Sequence, residues 1–141
     1  MILGLTGEKL AGKDTAAQYF IDNYGAFHVR HSHILDDILG LLDLPISRRN
    51  EIDLGMTLRK TFGNGVLGAA LRKRVLDSKA PFIVINGIRF QDEMVNAHEL
   101  GAEIVYITAP EDIRYQRFLK RQEKADDAKM SLEQFRVQEQ E

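Results

Sequence analysis

Gly7-Glu8-Lys9-Leu10-Ala11-Gly12-Lys13-Asp14-Thr15 stands near the start of the 141-residue chain, and the rest of the reading works outward from it. The spacing is G-x-x-x-x-G-K. Glycines at its two ends let backbone N–H groups turn inward around an anion. A helix opening at the lysine points its positive end at the same place. Lys13 is long enough to reach the β- and γ-phosphates of a nucleotide. Gly7, Lys9, Ala11, Gly12, Lys13, Asp14 and Thr15 are therefore expected to hold a nucleoside triphosphate. A glycine-rich turn without a ligand is the plain alternative. The apolar Ile2–Leu5 before the motif and the amphipathic pattern after it argue against that. Asp14 departs from the usual hydroxyl, and two readings stay open for it. It holds Mg²⁺ through water, or it caps the helix. Thr15 supplies the local hydroxyl, so Asp14 and Thr15 are the metal candidates.

Four short apolar segments read as strands: Ile2 to Leu5, Ala26 to Val29, Phe82 to Ile85 and Glu103 to Ile107. The last two are continuous runs of β-branched and aromatic residues, a pattern expected of strands buried on both faces of a parallel sheet. Helices are expected between them. Ala17, Phe20, Ile21 and Tyr24 give Lys13 to Tyr24 one apolar face, closed by Gly25. Ser32 is expected to cap the next helix. Helices follow over Arg48 to Phe62, Asn64 to Leu76 and Gln91 to Leu100, then from Pro110 onward. Ser131 to Gln134 forms a capping box that opens the last one. The order β-α-β-(α-α-α)-β-α-β-α-α predicts an α/β fold, a three-layer α/β/α sandwich around a parallel sheet in one domain. The helical insertion at about 32–78 exceeds what a crossover needs and is a candidate acceptor-binding region.

Composition narrows the function classes. The chain has no cysteine, which excludes disulfides, thiolate metal sites and cysteine nucleophiles. Nineteen basic and 21 acidic residues leave a formal charge of −2, and no aromatic-basic pattern accompanies them, so no nucleic-acid partner is expected. No apolar run is long enough for a membrane span, and no basic leader precedes the first strand. A cytoplasmic protein, monomer or homodimer, is the expectation.

Gly4-Leu5-Thr6-Gly7 with Ala11-Gly12-Lys13-Asp14-Thr15-Ala16 resembles the opening of P-loop small-molecule kinases, above all phage-type deoxynucleoside monophosphate kinases and dephospho-coenzyme A kinase-like proteins. Asn86-Gly87-Ile88-Arg89-Phe90-Gln91-Asp92-Glu93 is similar to the segment where an arginine and a glutamate line the acceptor pocket of those kinases. Ala109 to Arg117, Arg121 and Asp126-Asp127 look like their lid, at about 114–130. The resemblance implies ATP as co-substrate, Mg²⁺ as cofactor, and γ-phosphate transfer to a small phosphorylated acceptor such as a (deoxy)nucleoside monophosphate. Dephospho-coenzyme A kinase-like activity or a non-catalytic nucleotide-binding module are the alternatives. The family often carries an acidic residue where this chain has Asn86. It usually adds a final strand and helix, so the chain reads as a truncation or a minimal variant.

Arg114, Arg117, Arg121 and Lys124 make a basic stripe at helical spacing, with Tyr115, Phe118 and Leu119 expected to pack on the sheet. Arg117 and Arg121 are the residues expected to stabilise transferred charge, beside Lys13. Arg89 follows a buried strand at the edge where open α/β sheets bind ligands. Its fork suits a phosphate; a salt bridge to Glu93 is the structural alternative. Ser32, Arg59, Arg89 and Glu93 form the expected acceptor set. Asp36 and Asp37 are read as solvated, and His28, His31 and His33 as polar residues at a strand end rather than a zinc site.

Overall fold

The computed structural model describes residues 1–121 and 131–140. Four parallel strands lie in the order β2-β3-β1-β4: β1 Ile2–Gly7, β2 Phe27–Val29, β3 Ile83–Ile88 and β4 Glu103–Ile107. The helices are α1 Lys13–Tyr24, α2 His31–Leu41, α3 Arg48–Phe62, α4 Val66–Ser78, α5 Gln91–Glu99, α6 Glu111–Arg121 and α7 Leu132–Gln140. The predicted element order and the parallel sheet are both present.

Alternation along the strands divides the interior into two cores. Leu3, Leu5 and Val84 face α1 and meet Ala17, Phe20 and Phe82; the Phe20 and Phe82 rings stand edge to face at 5.5 Å. Ile83, Ile85 and Ile88 face the other way, onto Leu35 of α2, Leu67, Leu71 and Val75 of α4 and Ala97 of α5. The predicted Leu67-Leu71-Val75 stripe is thus a main wall of this core. Gly4 sits between the Ile88 and Ile104 side chains, where an added Cβ would come within 2.8 Å and 2.6 Å of their ends.

Several details depart from expectation. β4 is the sheet edge, with Val105 and Tyr106 exposed, so its apolar run does not mark burial on both faces. A strand run of this kind records propensity as well as burial. Ser32 does not cap α2. The helix starts two residues earlier, with Arg30 as its N-cap in extended conformation and without a side-chain cap bond, leaving Ser32 inside the first turn. Tyr115 and Phe118 pack on α7, not on the sheet: Phe135 is fully buried, 5.7 Å and 5.4 Å from their ring centres, while Leu119 stays at the surface. The Ser131–Gln134 box forms as predicted, with Ser131 N–H donating to Gln134 Oε1 at 2.8 Å and Gln134 N–H to Ser131 Oγ at 3.2 Å. It fixes the start of the helix that carries Phe135 into place.

Phe135→Ala should lower unfolding stability by about 3–5 kcal/mol in urea titration, the cost of emptying a fully packed aromatic site. A loss below about 0.5 kcal/mol would mean that α7 does not dock on α6.

Candidate functional site

All four strands run the same way, so Gly7, Val29, Ile88 and Ile107 end at one edge of the sheet. The loop after β1 is built there by steric exclusion. Gly7 has φ +130°, and a Cβ on it would lie 1.9 Å from the Ile107 carbonyl oxygen. Only glycine lets the chain turn this close to β4. Leu10 and Gly12 also adopt positive φ, 63° and 114°. Gly12 is the N-cap of α1, with no side-chain cap bond, which removes the capping reading of Asp14.

The loop is fastened to its surroundings by its own side chains. Lys13 Nζ folds back and donates to the Gly7 and Glu8 carbonyls at 2.7 Å and 2.5 Å. Burial pushes the Lys13 ammonium below its ordinary pKa, the Arg89 guanidinium adds to this, and Asp14 and Glu8 oppose it. Glu8 accepts from Thr108 Oγ1 at 2.7 Å and from Ala109 N–H at 3.4 Å, beyond the end of β4. The Thr108 hydroxyl is the main reason Glu8 lies below the usual carboxylate range. Lys9 Nζ stands 5.9 Å from the centre of the Phe118 ring, a cation–π contact with α6. Arg117 Nη1 donates to the Leu10 and Ala11 carbonyls at 2.9 Å and 3.1 Å.

The predicted basic stripe therefore divides. Arg114 is buried, donating from Nε to the Ala109 carbonyl at 2.9 Å and lying 3.7 Å from Glu8 Oε2. It secures the joint between β4 and α6. Arg117 reaches the loop. Arg121 ends α6, and its side chain lies outside the described residues, as do Lys124, Asp126 and Asp127.

The next exit, after β3, carries a bulge: Leu5 pairs with Asn86, but Thr6 pairs with Ile88. Gly87 takes φ +79°, and Thr6 Oγ1 donates to the Ile88 carbonyl at 2.8 Å. Asn86 thereby faces α1, buried, and its Nδ2 donates to Asp14 Oδ1 at 2.7 Å. Asn86 Oδ1 is buried without a hydrogen-bond partner. Arg30, at the exit of β2, donates from Nη2 to the same Asp14 oxygen. Thr15 is exposed on the first turn of α1.

Glu93 does not bridge Arg89. Its Oε2 accepts the Arg89 and Phe90 N–H groups at 2.8 Å and 3.3 Å, holding the start of α5. The Arg89 side chain stays exposed, and among the described residues neither it nor Arg59 has a hydrogen bond or ion pair. Both guanidiniums act on groups of this edge: Arg89 on Lys13, Arg59 on His31. His31 Nδ1 lies 3.3 Å from Glu93 Oε1 at ion-pair distance but without hydrogen-bond alignment, so neither ring nitrogen of His31 is satisfied. His28 and His33 meet edge to face at 5.1 Å, apart from His31 in their contacts. Asp37 accepts from Arg74 Nη2 at 2.5 Å. Asp36 is half-buried with Oδ1 unpartnered, which corrects its reading as solvated. A separate surface hollow, lined by Phe27, Lys73, Arg74 and Ser78, lies beside the start of β2, at the other end of the sheet.

Sequence reasoning missed Arg30, Glu8 and His31. Glu8 sits at a free position of the motif, and Arg30 and His31 sit in a strand-to-helix turn whose partners are remote in sequence. The one available signal was position, directly after an apolar strand.

No family model and no curated protein matches the sequence. Solved structures do resemble the fold. A shikimate kinase from Bacteroides thetaiotaomicron is 14% identical with a TM-score of 0.59, over 98% of this chain and 76% of that one. A gluconokinase from Sinorhizobium meliloti is 15% identical with a TM-score of 0.52, over 97% and 71%. TT1252 from Thermus thermophilus is 17% identical with a TM-score of 0.52, over 99% and 85%. At such identities the likeness carries the α/β architecture alone, and this chain has the fold of those P-loop kinases.

Burial is the main influence holding His28, His31 and His33 below the ordinary histidine pKa. The unfolded chain then binds more protons than the folded one as pH falls through about 6.5, so stability drops on acidification. Thermal unfolding followed from about pH 7.5 to pH 5 should show that fall, and His31→Gln should make it shallower. An unchanged pH slope in His31→Gln would contradict the buried, neutral imidazole.

Proposed function

We propose that the protein transfers the γ-phosphate of ATP to a small phosphorylated acceptor, with a (deoxy)nucleoside monophosphate as the preferred class. The observation that carries this reading is the convergence at one sheet edge of the Gly7–Thr15 loop and Lys13 with two arginines, Arg59 and Arg89, whose donors no described protein group uses. Two guanidiniums with open donors beside a cradle of loop amides would suit phosphate on both sides of the transfer.

The donor phosphates would lie in the cradle of loop amides, at the positive end of α1. Lys13 exchanges its two carbonyl partners for phosphate oxygens, a trade that costs little because the ammonium stays hydrogen-bonded. Arg117, seated on the Leu10 and Ala11 carbonyls, is placed to neutralise charge that builds on the transferred group. Arg121 is proposed beside it, one helical turn on. Arg59 and Arg89 would grip the acceptor phosphate, with Ser32 near its entry and Glu93 holding the Arg89 turn rigid. A phosphate acceptor is already ionised, so it needs no general base.

The residues fit a Mg²⁺ ion held chiefly by phosphates and water. The Thr15 hydroxyl and the orphaned, buried Asn86 oxygen are oxygen donors beside the loop, and Asp14 can act through water. When bound, Mg²⁺ neutralises charge on the donor phosphates. A second reading, a nucleotide-binding module without turnover, is favoured by the amide of Asn86, which supplies no charge to a metal.

In a panel of nucleoside monophosphates and dephospho-coenzyme A, at least one acceptor should stimulate ADP release. Lys13→Ala should reduce the rate at least about 100-fold, and Arg89→Ala should raise the acceptor KM about tenfold or more with a smaller change in kcat. ATP binding without acceptor-dependent ADP release across the panel would favour the module instead.

A further inference from the structure

We propose that Arg30 is a phosphate-contacting residue, and that Asp14 is the positioning residue that holds it at the loop. The inference rests on the reading of the loop as a polyphosphate site.

The motif places a metal-binding hydroxyl directly after its lysine. Here that position is Asp14, and its Oδ1 is engaged from two directions. Asn86 Nδ2 reaches it from the bulged end of β3, and Arg30 Nη2 from the exit of β2. Asn86 is 1% exposed and ties one oxygen of the half-exposed Asp14 carboxylate to the sheet. A carboxylate held this way anchors a guanidinium more firmly than a free surface pair would. Arg30 is therefore tied to Asp14, the residue after Lys13, at the end of the sheet where all four parallel strands finish.

The way Arg30 is held also points to a ligand. A guanidinium has five N–H donors in a planar fork. Arg30 bonds Asp14 through Nη2, and among the described residues no protein group accepts from its Nε or Nη1. Its side chain is 31% exposed, so those donors remain open to an anion. Arg117 differs, with Nη1 bonded to two loop carbonyls. Arg114 is buried. An arginine pinned through one nitrogen and open through the others is pre-organised for the terminal phosphate of a chain cradled by the loop. It contributes hydrogen bonds and charge, and no proton moves.

Titration calorimetry with inorganic tripolyphosphate in EDTA, and separately with Mg²⁺–ATP, tests the pair in wild type, Arg30→Ala, Asp14→Ala and the double variant. Arg30→Ala should weaken tripolyphosphate binding about tenfold, the scale of a charge-assisted hydrogen bond. The same change made in Asp14→Ala should cost less than about twofold, because Arg30 is no longer placed. Arg30→Lys, which keeps the charge without the fork, should fall between, and matching melting curves should show that the variants fold. The proposal is overturned if Arg30→Ala leaves binding unchanged, or if its cost is the same with and without Asp14. It is also overturned if Asp14→Ala weakens only the Mg²⁺-loaded ligand, since Asp14 would then serve the metal. Wild type that binds no tripolyphosphate would instead sink the functional reading, and this inference with it.

Discussion

The contact between Gly7 and the carbonyl of Ile107 sets the shape of everything at the working end of the molecule. Two parallel strands, β1 and β4, run side by side to their carboxyl ends, and the chain leaving β1 must turn at once. With the carbonyl of Ile107 where a Cβ would go, the turn accepts glycine alone. From that point Leu10 and Gly12 continue in left-handed conformations, α1 opens at Lys13, and its positive end faces the loop. The cost of these unusual torsions is met by fastenings from the loop itself: Glu8 to Thr108 and Ala109, Lys9 over Phe118, and the Leu10 and Ala11 carbonyls to Arg117. The loop and α6 are thereby one mechanical unit, steadied from behind by Phe135.

This coupling gives the charges a common logic. Lys13, Arg30 and Arg117 come from different elements, yet each is held at one edge by a contact that leaves donors in place, and Arg59 and Arg89 act on groups of the same edge. Burial lowers the affinity of Lys13 for its proton, and Arg89 pushes the same way. A polyanion bound as proposed would reverse both penalties. The shikimate kinase and the gluconokinase share this architecture, and what a fold binds is decided by the side chains of its site rather than by the sheet.

Much of this was legible in the sequence. The Gly7–Thr15 motif fixed the first strand, turn and helix together, because glycine spacing and helical periodicity are local properties. The Leu67-Leu71-Val75 stripe and the Ser131–Gln134 box were readable for the same reason. What escaped depends on partners distant along the chain. Nothing local says that Glu8 meets Thr108, that Asn86 and Arg30 share Asp14, or that Tyr115 and Phe118 turn to Phe135 rather than the sheet. The edge position of β4 was likewise hidden, since its residue types suit a strand wherever it lies. Ser32 misled because a good capping residue near a helix start need not be its cap when the preceding backbone is already extended.

Backbone amide chemical shifts recorded while ATP is added to the 15N-labelled protein probe the cradle itself. Saturable shifts concentrated at the amides of Glu8 to Thr15, absent in Gly7→Ala, are the predicted result. Shifts that leave those amides untouched while others move, or no shift at millimolar ATP, would contradict a phosphate-binding loop at this strand exit.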